Sequence, residues 1–220
     1  MSVRMPFLAI LLMLSGCADT INPGRNFAPP AEREPRPELT EPADIAKALR
    51  AGGYVIYMRH GLTRREELEL EAKMREAGRF SLEDCATQRN LSNEGIAESR
   101  AAGAAFRGLG LPVARFASSC YCRVAQTARE FSDKLEWSDA LTSDGPIVKS
   151  PERIAGVRAL LSAKPAPGTN TMLFAHQGIF YEATLLTVQE GWAVVLVPGV
   201  FNRVVARISP SDWARLAAPP

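Results

Sequence analysis

Two hydrophobic runs each break off at a histidine with a glycine close behind, and these are the only two histidines among 220 residues. Tyr54-Val55-Ile56-Tyr57-Met58 runs into Arg59-His60-Gly61, and Thr171-Met172-Leu173-Phe174-Ala175 runs into His176-Gln177-Gly178. Such runs read as strands, and the turn at the end of a strand is where an open α/β sheet places its chemistry. A third segment, Ser118 to Ala128, follows another apolar stretch and brings in Arg123. Two imidazoles with two arginines, Arg59 and Arg123, suit an anion whose charge is spread over several oxygens. The planar arginine fork fits such an anion better than the mobile point charge of lysine.

The chemistry expected of these residues is phosphoryl transfer. An imidazole attacks phosphorus only when neutral, and neighbouring guanidinium charges favour the neutral ring. His60 is the expected nucleophile, and a phosphorylated His60 would split one displacement into two. His176, from a neighbouring strand end, would donate to the phosphoryl oxygens in the transition state. No metal or other cofactor is needed for this scheme. The alternatives are plainer: strand-end histidines as hydrogen-bonded structural groups, Arg123 as a solvated charge, and Thr63 and Ser119 as turn or cap residues. A cation opening a helix is electrostatically disfavoured, so Arg123 in that place points to an expected anion.

Around these segments strands and helices alternate. We expect helices over Pro42–Ala51 with Thr40 as its cap, from Asn93 to about Leu109, from Arg123 to about Glu136, from Pro151 to about Ala163, and from about Ile179 to Gln189. Strands are expected at Tyr54–Met58, Val113–Ser118, Thr171–Ala175, Trp192–Val197 and Arg203–Ile208. This order implies an α/β fold with a mainly parallel sheet covered on both faces.

The motifs resemble those of the histidine phosphatase superfamily, the group that includes the phosphoglycerate mutases. Arg59-His60-Gly61 with Thr63 is similar to its R-H-G-x-T signature. Ser119 to Ala128 is similar to its S-x-x-x-R-x-x-Q-T-A block, Asn90-Leu91-Ser92-Asn93-Glu94-Gly95 to its N/P-L-(T/S)-x-x-G helix start, and Ala175-His176-Gln177-Gly178 to its late histidine motif. The three that carry His60, Arg123 and His176, in order over roughly 51–210, are far more specific than one. The resemblance implies a three-layer α/β/α sandwich, a phosphohistidine at His60, and a substrate phosphoryl group held by Arg59, Gly61, Thr63, Ser119, Arg123 and His176. It also implies a phosphatase branch other than the acid phosphatases and phytases, because Gln177 replaces their aspartate after the late histidine.

The expected organisation is a signal peptide over 1–16, a disordered tether over 17–41 and one domain over 42–220. Arg4, the apolar stretch Met5 to Leu14 and Leu14-Ser15-Gly16-Cys17 form a short leader whose ending resembles a bacterial lipobox. Cys17 would then be lipidated and anchor the protein to a membrane. With Ala18 and no aspartate after the cysteine, the expected address is the cell envelope, at the periplasmic face of the outer membrane. The following proline-rich stretch has no periodicity and reads as a tether. A formal net charge of +2 argues against a nucleic-acid partner. Of the remaining cysteines, Cys120 and Cys122 are too close for an easy bond, which leaves a Cys85–Cys122 disulfide or three reduced thiols.

The acid that would protonate a leaving oxygen is not legible. Asp144 is the candidate, with Glu182 and Glu190 as alternatives. The charged segment from Arg64 to Asp84 is expected over the pocket beside His60, shaping substrate choice. A rival expectation, which the missing acid favours, is a catalytically weak lipoprotein that only binds a phosphorylated envelope component.

Overall fold

The computed structural model describes residues 37–143, 150–200 and 203–218. Six strands, β1 (Val55–Arg59), β2 (Val113–Ser118), β3 (Glu136–Trp137), β4 (Asn170–Ala175), β5 (Ala193–Leu196) and β6 (Val204–Ile208), form one sheet in the order β3-β2-β4-β1-β5-β6. The pairs β3·β2, β2·β4 and β4·β1 are parallel, and β1·β5 and β5·β6 are antiparallel. The helices are α1 (Pro42–Ala51), α2 (Leu68–Glu76), α3 (Asn93–Leu109), α4 (Cys122–Arg129), α5 (Pro151–Ser162), α6 (Gln177–Thr184) and α7 (Asp212–Ala217).

Side-chain alternation along the central strands builds two cores. Ile56 and Met58 of β1 join Met172 and Phe174 of β4 on one face, where Leu49 of α1, Phe106 of α3, Val124 of α4 and Trp213 of α7 pack. Val55 and Tyr57 join Leu173 and Ala175 on the other, against Val157 and Leu161 of α5 and Phe180 of α6. Residues 55–58 of β1 and 172–175 of β4 therefore form unbroken, largely apolar runs, because each faces one buried layer or the other. This is an α/β/α sandwich, with β1 and β4 at its centre and each large buried side chain worth roughly 1.5–3 kcal/mol.

Local sequence explains several boundaries. The Ser92 side chain accepts the Gly95 N–H at the start of α3, and Gly110 ends that helix with φ 58°. Ser150 caps α5, whose first residue is Pro151.

Other boundaries differ from expectation. Residues 38 and 39, read as tether, are already fastened: the Leu39 N–H donates to the Val205 carbonyl at 2.7 Å, and Glu38 pairs with Arg207 at 3.3 Å. Glu41 rather than Thr40 precedes α1, and it makes no side-chain cap. The helix carrying Arg123 stops at Arg129, and Glu136–Trp137 pairs with Ala117–Ser118 as an edge strand. α6 begins at Gln177 and ends at Thr184, not Gln189, because Leu185 turns left-handed (φ 62°) and Gln177 Oε1 accepts the Val188 N–H at 2.6 Å, folding the chain back. The expected signal peptide, Cys17, most of the tether and Asp144 lie outside the described residues. Among the described residues no helix is long and apolar enough to cross a membrane.

Candidate active site

His60 and His176 follow the last residues of two adjacent parallel strands, where Arg59 is in register with Ala175. The register places the two imidazoles side by side: ring centroids are 5.5 Å apart and inclined by 64°. His60 Nδ1 lies 2.9 Å from the Gly61 carbonyl oxygen. A carbonyl can only accept, so Nδ1 carries the proton and the lone pair is left on Nε2. The Gly61 N–H donates to Thr127 Oγ1 at 3.0 Å, and the Thr127 hydroxyl donates to the Arg123 carbonyl at 2.8 Å. A Cβ on Gly61 would stand 2.5 Å from Ser99 Oγ, and one on Gly95 only 2.1 Å from the Leu62 carbonyl oxygen. Both glycines are thus required by close approach, and the motif segments brace the His60 loop against one another.

His176 Nε2 lies 3.1 Å from Ser119 Oγ, which accepts the Tyr121 N–H at 3.3 Å. The His176 backbone carbonyl accepts the Tyr57 hydroxyl at 2.9 Å, and the Tyr121 ring packs edge-on against the imidazole at 4.6 Å. Burial holds both histidines well below their ordinary pKa. Arg123, His176 and Arg59 add to this at His60; Arg123, Arg59, Arg89 and Arg75 do so at His176. Both rings are therefore neutral at neutral pH, as nucleophilic attack requires.

These histidines line a cleft of about 450 Å³ together with Arg59, Arg75, Arg89, Arg123, Glu71 and Tyr121. Arg123, in the first turn of α4 and 6% exposed, donates to Glu71 Oε2 at 3.0 Å and to the Arg89 carbonyl at 3.1 Å. Arg75 donates to Glu71 Oε1 at 3.1 Å and to the Tyr121 hydroxyl. Arg59 donates to the Val188 carbonyl at 3.1 Å and to Glu190 Oε1 at 3.0 Å. Glu190 also accepts the Thr63 N–H and hydroxyl, and Thr63 Oγ1 accepts from Arg89 at 2.7 Å. The Nε atoms of Arg59, Arg75 and Arg123 are buried and have no hydrogen-bond partner among the described residues. Orphaned buried donors are costly, and three of them around one cleft suit a polyoxygenated anion.

His60, His176, Arg59 and Arg123 are brought together in the cleft. Gly61, Thr63 and Ser119, expected to hold substrate, do not line it. Each stands one bond behind: Gly61 orients His60, Thr63 ties Glu190 to Arg89, and Ser119 orients His176. Glu190 anchors Arg59, and Glu182 lies on α6 but does not line the cleft. Cys85 and Cys122 form a disulfide with Cα atoms 5.7 Å apart, tying the Arg89 segment to α4. Among the described residues no group of three His, Cys, Asp or Glu is placed to hold a metal ion.

Glu71, Arg75, Arg89 and Tyr121 were not foreseen individually. The segment bearing Glu71 and Arg75 was expected over the pocket, and their spacing of four on one helix face was the available signal. Nothing local marked Arg89, which reaches the cleft only because the 90–95 motif docks on the His60 loop.

No protein-family model matches the sequence, and no curated protein matches it. Solved structures do. The chain is similar to a protein histidine phosphatase, SixA, complexed with tungstate (19% identity, 72% of this chain and 98% of that one, TM-score 0.49). It is similar to a candidate phosphohistidine phosphatase SixA from Agrobacterium tumefaciens (16%, 72% and 98%, TM-score 0.47). A candidate alpha-ribazole-5'-phosphate phosphatase from Escherichia coli K-12 is also similar (15%, 66% and 91%, TM-score 0.43).

Proposed function

We propose that this protein is a phosphomonoesterase that works through a phosphohistidine on His60 and acts on a small phosphorylated metabolite or an envelope sugar phosphate. One observation carries the reading: a neutral imidazole, with its lone pair on Nε2, lines a cleft walled by four arginines, three of which keep a buried donor unpaired among the described residues. Nε2 attacks phosphorus, the P–O bond to the leaving group breaks, and the phosphoryl group remains on His60. Water then attacks phosphorus and the P–Nε2 bond breaks, returning neutral His60 and inorganic phosphate. Arg123 and Arg59 hold the phosphoryl oxygens, and His176 donates to them as charge builds. The cation at the start of α4 is compensated by Glu71 in the empty cleft, and a phosphoryl group would add a second anion there.

His60→Ala should lose at least about 10³-fold in turnover of an aryl phosphate while retaining part of its phosphate affinity. Acid-labile phosphate should be trapped on the wild-type protein, and vanadate should inhibit while chelators do not. A variant as active as wild type ends the phosphohistidine reading. Phosphate binding without turnover in the wild type favours the rival reading of a binding lipoprotein.

The proposal includes the address: a lipid on Cys17 anchors the domain at the periplasmic face of the outer membrane. The support is the sequence Leu14-Ser15-Gly16-Cys17 after a short apolar stretch. A fatty-acid analogue should label the wild-type protein and not Cys17→Ser. An unlabelled, freely soluble wild type ends this part.

A further inference from the structure

α2 differs from the other helices of eight or more residues in having no buried residue. What fastens it is polar. Glu67 Oε2 accepts the Asn90 N–H at 2.7 Å, and Glu71 accepts from Arg123 at 3.0 Å, Arg75 at 3.1 Å and the Arg89 N–H at 2.8 Å. Glu71 therefore lies in the wall of the cleft, bonded to the arginine that would take the phosphoryl group. Among the described residues it is the only carboxylate in that wall. Glu190 is held away by Arg59, Thr63 and Arg89.

We propose that Glu71 is the acid that protonates the leaving oxygen and the base that then activates water. This inference rests on the phosphohistidine reading and completes it. In the first step His60 Nε2 bonds to phosphorus, the P–O bond breaks, and the Glu71 proton passes to the leaving oxygen. In the second, the water oxygen bonds to phosphorus, the P–Nε2 bond breaks, and the water proton passes to Glu71. The carboxyl ends as it began, and each bond made is matched by one broken.

The ion pairs also provide the means of loading the acid. Burial works to raise the Glu71 carboxyl, but Arg123, the Arg89 N–H and Arg75 outweigh it and hold the group below the usual carboxylate range. A bound phosphoryl group takes Arg123 donors from Glu71 and sets a doubly negative neighbour beside it. Both changes favour the protonated carboxyl. Substrate binding thus arms the acid: Glu71 takes a proton from solvent as the phosphoryl group enters and returns it when inorganic phosphate leaves, and an empty cleft holds Glu71 as a carboxylate that keeps the arginines aligned.

The test compares leaving groups in the whole domain. A nitrophenolate leaves without help, whereas the alkoxide of glycerol 2-phosphate needs a proton. Glu71→Gln should lose on the order of 10²-fold or more in kcat/KM toward glycerol 2-phosphate. Toward 4-nitrophenyl phosphate the loss in kcat/KM should be at least about tenfold smaller, with an unchanged circular dichroism spectrum showing that the variant is folded. With the base also removed, nitrophenol should appear as a burst followed by slow turnover, with phosphate accumulating on His60. Equal losses on both substrates, or none on either, overturn the role, the first meaning that Glu71 only aligns arginines. Separation of the two substrates by Asp144→Asn in place of Glu71→Gln overturns it also. These results leave the phosphohistidine standing, since that is judged by His60→Ala and the trapped phosphate. A wild type inactive on both substrates removes both readings.

Discussion

Glu190 and Glu71 each hold arginines of the cleft, yet they stand on different ground. Glu190 sits in a loop tied to the end of β1 by the residues just after it: the Gly191 N–H donates to the His60 carbonyl at 2.7 Å, and the Trp192 carbonyl accepts the Arg59 N–H at 3.0 Å. Gln177 fastens the preceding turn through Val188. Glu71 rides on a helix with no buried residue, held by ion pairs, hydrogen bonds and the stacking of Arg75 on the Phe80 ring. The same pairing of carboxylate and guanidinium is backed by sheet-tied backbone in one place and by a surface helix in the other. The difference comes from what lies beneath: an ion pair sets a position only as firmly as the backbone that carries it, because its own net strength in partly wet surroundings is small.

The largest effect should separate the two carboxylates by stability. Glu190→Ala leaves Arg59 and Arg89 without their counter-ion inside a fixed loop and should cost about 2–3 kcal/mol in urea unfolding. That is below the cost of breaking a fully buried pair, since about a fifth of each side chain is exposed (20% and 17%). A cost under about 0.5 kcal/mol would mean that the loop is as yielding as α2.

Acidification should have the next effect, and it acts on the ground between the two. His60 and His176 are held neutral well below the ordinary imidazole pKa, by burial first and then by arginines from both networks. The unfolded chain takes up their protons near pH 6.5 and the folded one does not. Stability from this source is therefore complete above about pH 6.5 and falls as pH drops below it, by up to about 1.4 kcal/mol per unit for each ring. Unfolding free energies from pH 7.5 to 5.5 should show this slope, and His176→Ala should remove part of it. A flat profile would mean that the rings are charged in the folded protein.

Although the Glu71–Arg123 pair is itself less exposed (14% and 7%), the smallest effect is expected from Glu71→Ala in the same urea experiment, under about 1 kcal/mol, because α2 buries no residue of its own and can yield so that water reaches Arg123. Amide exchange should then be faster in α2 and little changed in β1 and β4. A loss as large as that of Glu190→Ala would erase the contrast and make α2 part of the framework.

What the sequence determined by itself was the part governed by short-range rules. Unbroken apolar runs of β1 and β4 length demand burial on both faces, so the sandwich and the strand-end positions of His60 and His176 follow from a few neighbouring residues. Ser92 with Gly95 and Ser150 with Pro151 marked helix starts because a cap acts within one turn. The identity of Arg59 and Arg123 as cleft residues was legible for the same reason, each being adjacent to a strand end or a helix start.

The tertiary structure alone decided which carboxylate meets which arginine. Glu71 and Arg123 are 52 positions apart, and Glu190 and Arg59 are 131 apart. Neither period nor cap links such pairs. It was likewise Val188, brought back onto Gln177, that ended α6 early and placed Glu190 behind Arg59. Thr63, read as a substrate contact, became its brace. Local patterns set where the chain is helix or strand, since those choices are made by hydrogen bonds and side chains a few residues apart. The division of the charged groups between framework and cleft depends on distances that exist only after the layers have packed.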